Sequence, residues 1–82
     1  YSDDPMMALA ANNNRGNSYK ELGRFGDAVA AYRLALESAR KTGSPLLEAR
    51  ILTNIASAEL LDGHTARADA TLQRGLAVAT GE

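Results

Sequence analysis

The sequence repeats itself without a gap when it is shifted by 40 residues, and this internal repeat is its most constraining feature. Pro5 aligns with Pro45 and Gly23 aligns with Gly63. Further identical pairs are Asn14 with Asn54, Ala28 with Ala68, Ala30 with Ala70, Leu36 with Leu76 and Ala39 with Ala79. A period of about 20 to 50 residues is typical of repeat proteins, in which each unit buries its apolar face against its neighbours. The pattern therefore predicts two tandem copies of one structural unit.

Each unit is predicted to form two helices joined by a short turn. Asp4-Pro5 and Ser44-Pro45 are helix start signals, because the polar side chain caps free N–H groups and proline lacks one. Gly23 and Gly63 are predicted to end the first helix of each unit, Gly23 in the left-handed conformation that glycine adopts at little cost. The predicted helices run over about 5–22, from Gly26-Asp27 to 41–43, over 45–62 and over about 65–79. The expected fold class is all-α, with four antiparallel helices in two tandem helix-turn-helix repeats.

The second helix of the first unit carries small residues on one face. They are Ala28, Ala31 and Ala35. Small side chains let helices approach closely, and Tyr32 on the same face is predicted to fill the remaining space. Gly16 and Ala56 are expected to have the same role on the first helix of each unit. The alternative is a generic alanine-rich helix, since alanine is the best helix former, but the repeat favours specific packing.

Both units carry a spaced pattern of small and large residues. In the first it is Gly16-x-x-Tyr19, then Gly23-x-Phe25-x-x-Ala28-x-x-x-Tyr32-x-x-Ala35-Leu36. In the second it is Leu52-x-x-Ile55-Ala56, Gly63 and Ala68-x-x-x-Leu72-x-x-Gly75-Leu76. These patterns resemble the tetratricopeptide repeat (TPR), although the usual repeat has about 34 residues; the length is similar to that of longer repeats in bacterial signal-transducing regulators and some animal scaffold proteins. The resemblance implies a short right-handed α-solenoid segment, one domain over 1–82 with repeats over about 4–43 and 44–80.

Three polar residues depart from the family pattern. Asn12 and Arg15 occupy positions where the family has a bulky aromatic residue and a leucine, and Glu59 stands where tyrosine is usual. Burying a polar group without a hydrogen-bond partner costs about 1–3 kcal/mol. We therefore expect the edge with Asn12 and Arg15 either to face solvent or to receive hydrogen bonds from a neighbour.

The resemblance implies a concave groove, lined by the first helix of each repeat, in which the family holds a peptide or helix of a partner protein. The positions carried over are Ala10, Asn13, Asn14, Asn17, Lys20 and Glu21 in the first unit, and Arg50, Thr53, Asn54, Ser57, Leu60 and Leu61 in the second. The spacing of Asn13, Asn17 and Lys20 at i, i+4 and i+7 independently places them on one helix face.

The asparagines on this face suit a peptide, because each offers both a donor and an acceptor for an extended backbone. Lys20 and Arg50 can pair with a carboxylate. Asn17 and Asn54 match the asparagines with which some family members clamp a C-terminal carboxylate, whereas Asn13 stands where that clamp has lysine. The alternative is that asparagine is usual at these positions whatever the ligand.

Composition and motifs argue against other functions. The net charge is −1 and the nine basic residues are spread along the chain, which predicts neither a nucleic-acid partner nor a membrane surface. There is no cysteine and one histidine, His64, so we expect no metal site and no cofactor. No serine has triad partners and no phosphate loop is present, so no catalytic residue and no enzyme activity are expected. Without a signal peptide or apolar span, the predicted location is cytoplasmic.

The end of the second unit is the other candidate surface. Leu72, Leu76 and Val78 belong to the last helix, and part of its apolar face has no later helix to cover it. Stacked repeats usually comprise three or more units, so we expect another chain, as in a homodimer, or a further repeat to cover this face. The absence of an initial methionine leads us to expect a piece of a longer chain, although a processed mature protein would look the same.

Two functions therefore stay open at this point. The first is a module that binds a partner protein or peptide through the groove. The second is a structural or self-associating repeat segment of a larger signalling or transcription regulator.

Overall fold

The computed structural model describes residues 4–81, which form four α-helices joined by short turns. The helices are α1 (Pro5–Glu21), α2 (Phe25–Thr42), α3 (Pro45–Leu61) and α4 (Thr65–Thr80). Each helix contacts the next one in the chain, and the molecule measures 35 × 32 × 12 Å. This arrangement confirms the all-α fold of two helical hairpins. The only differences are small shifts at helix ends, such as the start of α2 at Phe25.

The helix starts follow the predicted capping chemistry. The Asp4 carboxylate accepts a hydrogen bond from the backbone N–H of Met6 at 2.9 Å, and the Ser44 hydroxyl accepts one from Leu47 at 3.3 Å. The following proline occupies the first turn of each helix, where its missing N–H has no cost. The first helices of both repeats therefore begin in the same way.

The turns inside the two repeats have the same geometry. Gly23 and Gly63 adopt φ angles of +77° and +83°, the left-handed conformation. Beyond each glycine, the next backbone N–H folds back: Arg24 donates to the carbonyl of Tyr19 and His64 donates to that of Glu59, both at 2.9 Å. This is the Schellman arrangement, which satisfies carbonyls left free at a helix end. The predicted stop at both glycines is confirmed.

The core crosses the boundary between the repeats. Its buried members are Leu9 of α1, Ala28, Tyr32, Ala35, Leu36 and Ala39 of α2, and Ile51, Leu52, Ile55 and Ala58 of α3. Gly16 of α1 faces the ring of Tyr32 so closely that an added Cβ would lie 2.9 Å from Cγ of that ring. The small residues thus allow the tyrosine to fill the space between α1, α2 and α3, as the sequence predicted.

The polar departures from the family pattern are accommodated in two ways. Arg15 is exposed, and the half-buried Asn12 donates from Nδ2 to the carbonyl of Ala8 at 3.0 Å, so that edge faces solvent and bonds to its own helix. Glu59 is only 2% exposed, and its Oε1 accepts a hydrogen bond from the hydroxyl of Thr71 at 2.7 Å. A hydrogen-bonded acid and threonine therefore replace the usual tyrosine in the second repeat.

Candidate partner-binding surface

The first helices of the two repeats are joined by one pair of asparagines, which we call the asparagine pair. Nδ2 of Asn54 donates to Oδ1 of Asn13 at 2.8 Å, and both residues are half-buried. Within residues 4–81, Nδ2 of Asn13 and Oδ1 of Asn54 have no hydrogen-bond partner. The pair therefore presents one donor and one acceptor side by side. A peptide backbone can match them, because each peptide unit has a C=O acceptor for the donor and an N–H donor for the acceptor.

Asn17 is held by the core. Its Oδ1 accepts a hydrogen bond from the hydroxyl of Tyr32, whose side chain is fully buried. Burial raises the pKa of Tyr32, and the negative charge of Glu21 adds to this effect, so the phenol keeps the proton that it donates. The position of the Asn17 side chain is thereby fixed, and its Nδ2 is the group left for a partner.

The other predicted groove residues differ in exposure and in the surface that they line. Ala10, Asn14, Glu21, Arg50 and Leu61 are exposed, and Lys20 is half-buried. Thr53 and Ser57 lie further round α3, where they line a depression between α3 and α4 together with Leu60. The structure thus brings Asn13 and Asn54 together, whereas Thr53 and Ser57 line the depression that α3 shares with α4.

That depression has a volume of about 340 Å³. Its lining consists of Thr53, Ala56, Ser57, Leu60, Thr65, Ala68, Asp69 and Leu72. Leu72 and the neighbouring Leu76 are exposed, as the sequence analysis expected of this helix. Val78 differs, because it is half-buried and packs against the core. We therefore call only the exposed row Leu72, Leu76 and Ala79, with the adjoining depression, the end face.

The structure contains paired helices, left-handed glycines in the turns and a tyrosine packed against small residues. These features agree with the spaced residue pattern that resembles the TPR. In a comparison with protein families, the model of the tetratricopeptide repeat matches residues 7–81. The chain belongs to the tetratricopeptide repeat family. Searches among curated proteins and among solved structures gave no match. TPR repeats are in general protein-interaction modules and are typically non-catalytic.

The sequence analysis missed a depression on the α2–α4 side of this TPR pair. It measures about 350 Å³ and is lined by Arg33, Leu36, Glu37, Arg40, Leu52, Ile55, Thr71 and Arg74. Arg40 pairs with Glu48 at 3.2 Å, whereas Arg33 and Arg74 make no ion pair within residues 4–81. Its lining residues come from three helices, so spacing along any one helix did not indicate it.

Neither a metal cluster nor a membrane span is found in the described part of the chain. Residues 4–81 contain no group of three His, Cys, Asp or Glu side chains that is able to hold a metal ion. His64 lies in the α3–α4 turn with Nε2 3.2 Å from Oδ2 of Asp62, and both side chains are exposed. Among the same residues, no helix has the length and apolar character that crossing a bilayer requires.

Proposed function

We propose that this TPR pair is a non-catalytic protein-interaction module that holds a peptide segment or helix of a partner protein against α1 and α3. The observation that carries the proposal is the asparagine pair. It sits where the two repeats adjoin, and its unused amide donor and carbonyl acceptor suit a backbone of any sequence. A partner bound there would contact both repeats at once, which makes the relative position of the repeats part of the recognition.

Charged residues on the same helices suggest how a partner would be oriented. Lys20 of α1 and Arg50 of α3 are the basic side chains predicted for the groove; Lys20 is three residues from Asn17 and Arg50 is four residues from Asn54. A charge-assisted hydrogen bond to a carboxylate is roughly twice as strong as a neutral one. We therefore expect peptides with a free C-terminal carboxylate to bind more tightly than the same peptides with an amidated end.

The first test selects ligands and then removes the asparagine. Random peptides displayed on phage are selected on the full chain, and the affinity of the best synthetic peptide is measured by calorimetry. We expect Asn54→Ala to weaken binding about tenfold, which corresponds to the loss of about one hydrogen bond. Gln73→Ala is the matched control, because it removes an exposed amide from α4.

Circular dichroism of each variant shows whether the fold is retained, since Asn54→Ala also removes the bond to Asn13. Binding that is equal in Asn54→Ala and wild type would refute the role of the asparagine pair. If the peptide changed chemical shifts only around the α2–α4 depression, it would bind there and not at the asparagine pair. That result would also contradict the proposal.

The second candidate function is a structural or self-associating repeat segment. The exposure of Leu72 and Leu76 favours it, because monomers seldom expose contiguous apolar surface without using it. This function uses the end face rather than the asparagine pair, so substitutions at Asn54 and at Leu76 separate the two functions.

A further inference from the structure

The α2–α4 depression adjoins a second depression. This second one has a volume of about 260 Å³ and is lined by Gly26, Val29, Ala30, Arg33, Glu59, Asp62, His64 and Arg67. Arg33 lines both depressions, and the hydrogen bond from Thr71 to Glu59 joins a lining residue of the first to one of the second. We call the two depressions together the arginine cleft; α1 contributes no residue to its lining.

Arginines line the cleft from both of its outer helices. Arg33 and Arg40 stand seven residues apart on α2. Arg67 and Arg74 have the same spacing on α4, and this spacing of about two turns keeps each pair on one helix face. All four residues are exposed. Arg40 pairs with Glu48, whereas within residues 4–81 the other three arginines make no ion pair, so three guanidinium groups remain for an anionic ligand.

The acidic residues of the cleft offset these charges only in part. Glu59 is buried and its carboxylate is bonded to the hydroxyl of Thr71, and Oδ2 of Asp62 lies 3.2 Å from Nε2 of His64. Glu37 is the remaining acid of the lining. The cleft therefore carries a surplus of positive charge, although the net charge of the whole chain is −1.

A further repeat after α4 would leave the α4 side of the cleft open. The internal repeat shows this, because the first repeat already has a repeat behind it. Asp27 and Leu34 stand 40 residues before Arg67 and Arg74, and both are exposed although α3 and α4 follow them. Arg67 and Arg74 would stay exposed in the same way.

A further repeat before α1 would likewise leave the α2 side open. Gln73 and Thr80 stand 40 residues after Arg33 and Arg40, and both are exposed although α1 and α2 precede them. Neither neighbour in a longer stack of repeats therefore covers the arginines, which distinguishes the arginine cleft from the end face.

The chemistry of the cleft indicates the class of its ligand. Guanidinium groups form charge-assisted and often bidentate hydrogen bonds with carboxylates. The buried residues Leu36, Leu52 and Ile55 give the α2–α4 depression an apolar floor, against which an apolar side chain packs without desolvating a polar group. A nucleic acid suits the cleft less well, because its phosphates would pass Glu37 and Asp62 and it offers no aliphatic side chain for the floor.

We propose that the arginine cleft binds an acidic segment of a partner protein, whose carboxylates pair with Arg33 and Arg74 while an apolar side chain between them lies over Leu36. The proposal does not depend on the asparagine pair, because Asn13 and Asn54 line neither depression. The cleft recognises side-chain carboxylates, whereas the asparagine pair suits a backbone of any sequence.

The test titrates the full ¹⁵N-labelled chain with a short peptide in which one leucine is flanked on each side by two glutamates. The peptide is acetylated and amidated, so that its only carboxylates belong to side chains. We expect amide shifts to change around Arg33, Leu36 and Arg74, with a dissociation constant below about 1 mM. The same peptide with glutamine in place of glutamate should bind at least about tenfold more weakly, because it loses the charge assistance.

Substitutions in the protein locate the effect. Arg33→Gln and Arg74→Gln are each expected to raise the dissociation constant about fivefold to tenfold. Arg15→Gln is the matched control, because it removes the same charge from an exposed arginine of α1 outside the cleft. Asn54→Ala should bind the acidic peptide as the wild type does, which separates this proposal from the function of the asparagine pair. Circular dichroism checks that each variant is folded.

Several results would overturn the proposal. These are the absence of binding up to millimolar peptide, shift changes confined to the α1–α3 groove, and an affinity that Arg33→Gln and Arg74→Gln leave unchanged. Equal weakening by Arg15→Gln would reduce the effect to the overall charge of the chain. A peptide with serine in place of leucine that binds equally well would remove the role of the apolar floor. Tighter binding of oligothymidylate than of the peptide would assign the cleft to nucleic acid instead.

Discussion

Gly16 and Tyr32 show how one missing side chain determines the packing of a TPR unit. An added Cβ at Gly16 would meet ring carbons of Tyr32, which is fully buried and cannot move aside cheaply. We expect Gly16→Ala to destabilise the protein by about 1–2 kcal/mol. The expected overpacking cost of about 1–3 kcal/mol exceeds the gain of up to about 1 kcal/mol in helix propensity. Urea denaturation followed by circular dichroism measures the difference.

The second repeat supplies the control for this prediction. At the matching positions it has Ala56 and Leu72, a larger and a smaller residue than Gly16 and Tyr32. The double variant Gly16→Ala with Tyr32→Leu copies that combination, so the cost of the alanine should largely disappear when the leucine is already present. An equal cost of Gly16→Ala in both backgrounds would show that the ring is not the source of the destabilisation.

The residue scale is also where the sequence was least informative. The size complementarity of Gly16 and Tyr32 was predicted, because small residues recur at fixed positions. The hydrogen bond from Thr71 to Glu59 was not. The carboxylate of a buried acid needs a hydrogen-bond donor, which here is a hydroxyl on another helix. Whether that hydroxyl reaches the carboxylate depends on side-chain rotamers and helix packing rather than on spacing in the chain.

At the scale of the element, the α1–α2 turn contains two glycines with different roles. Gly23 has φ +77°, whereas Gly26 lies in the first turn of α2 with open space where a Cβ would be. We expect Gly23→Ala to cost about 1–2 kcal/mol, because an L-residue is strained in the left-handed conformation. Gly26→Ala should instead stabilise the protein by about 0.5–1 kcal/mol.

Thermal denaturation of the two variants is compared with that of the wild type. The opposite signs are the test, because both substitutions add the same methyl group to the same turn. Destabilisation by Gly26→Ala as large as that by Gly23→Ala would mean that the turn, rather than the left-handed residue, is sensitive to any side chain.

Helix ends were the part of the fold that the sequence predicted best, because their signals are local. A capping side chain, a proline and a left-handed glycine each act within one turn of the helix. The start of α2 was less clear, since its N-cap, Arg24, makes no side-chain capping bond. The candidate groove was predicted only in part, because spacing along α1 and α3 gives the face of each helix but not how the two faces meet.

At the scale of the whole molecule, one core runs across the junction of the repeats. Tyr32 and Leu36 of α2 and Leu52 and Ile55 of α3 belong to the same buried cluster, although the two helices belong to different repeats. By contrast, α4 ends at a face that nothing in residues 4–81 covers. Stability in repeat proteins is the sum of the units and their interfaces, so we expect neither repeat to remain folded once this junction is lost.

Truncation of Ile55 tests this coupling. We expect Ile55→Ala to cost about 2–5 kcal/mol, because it leaves a cavity where α3 packs on α2, whereas Leu46→Ala on the exposed face of α3 should cost less than about 0.5 kcal/mol. Amide hydrogen exchange then reports each helix separately. If the junction couples the repeats, protection falls in α1 and α2 as well as in α3 and α4. Protection that is lost from the second repeat alone would mean that the first repeat is stable by itself, and that the shared core joins two independent hairpins.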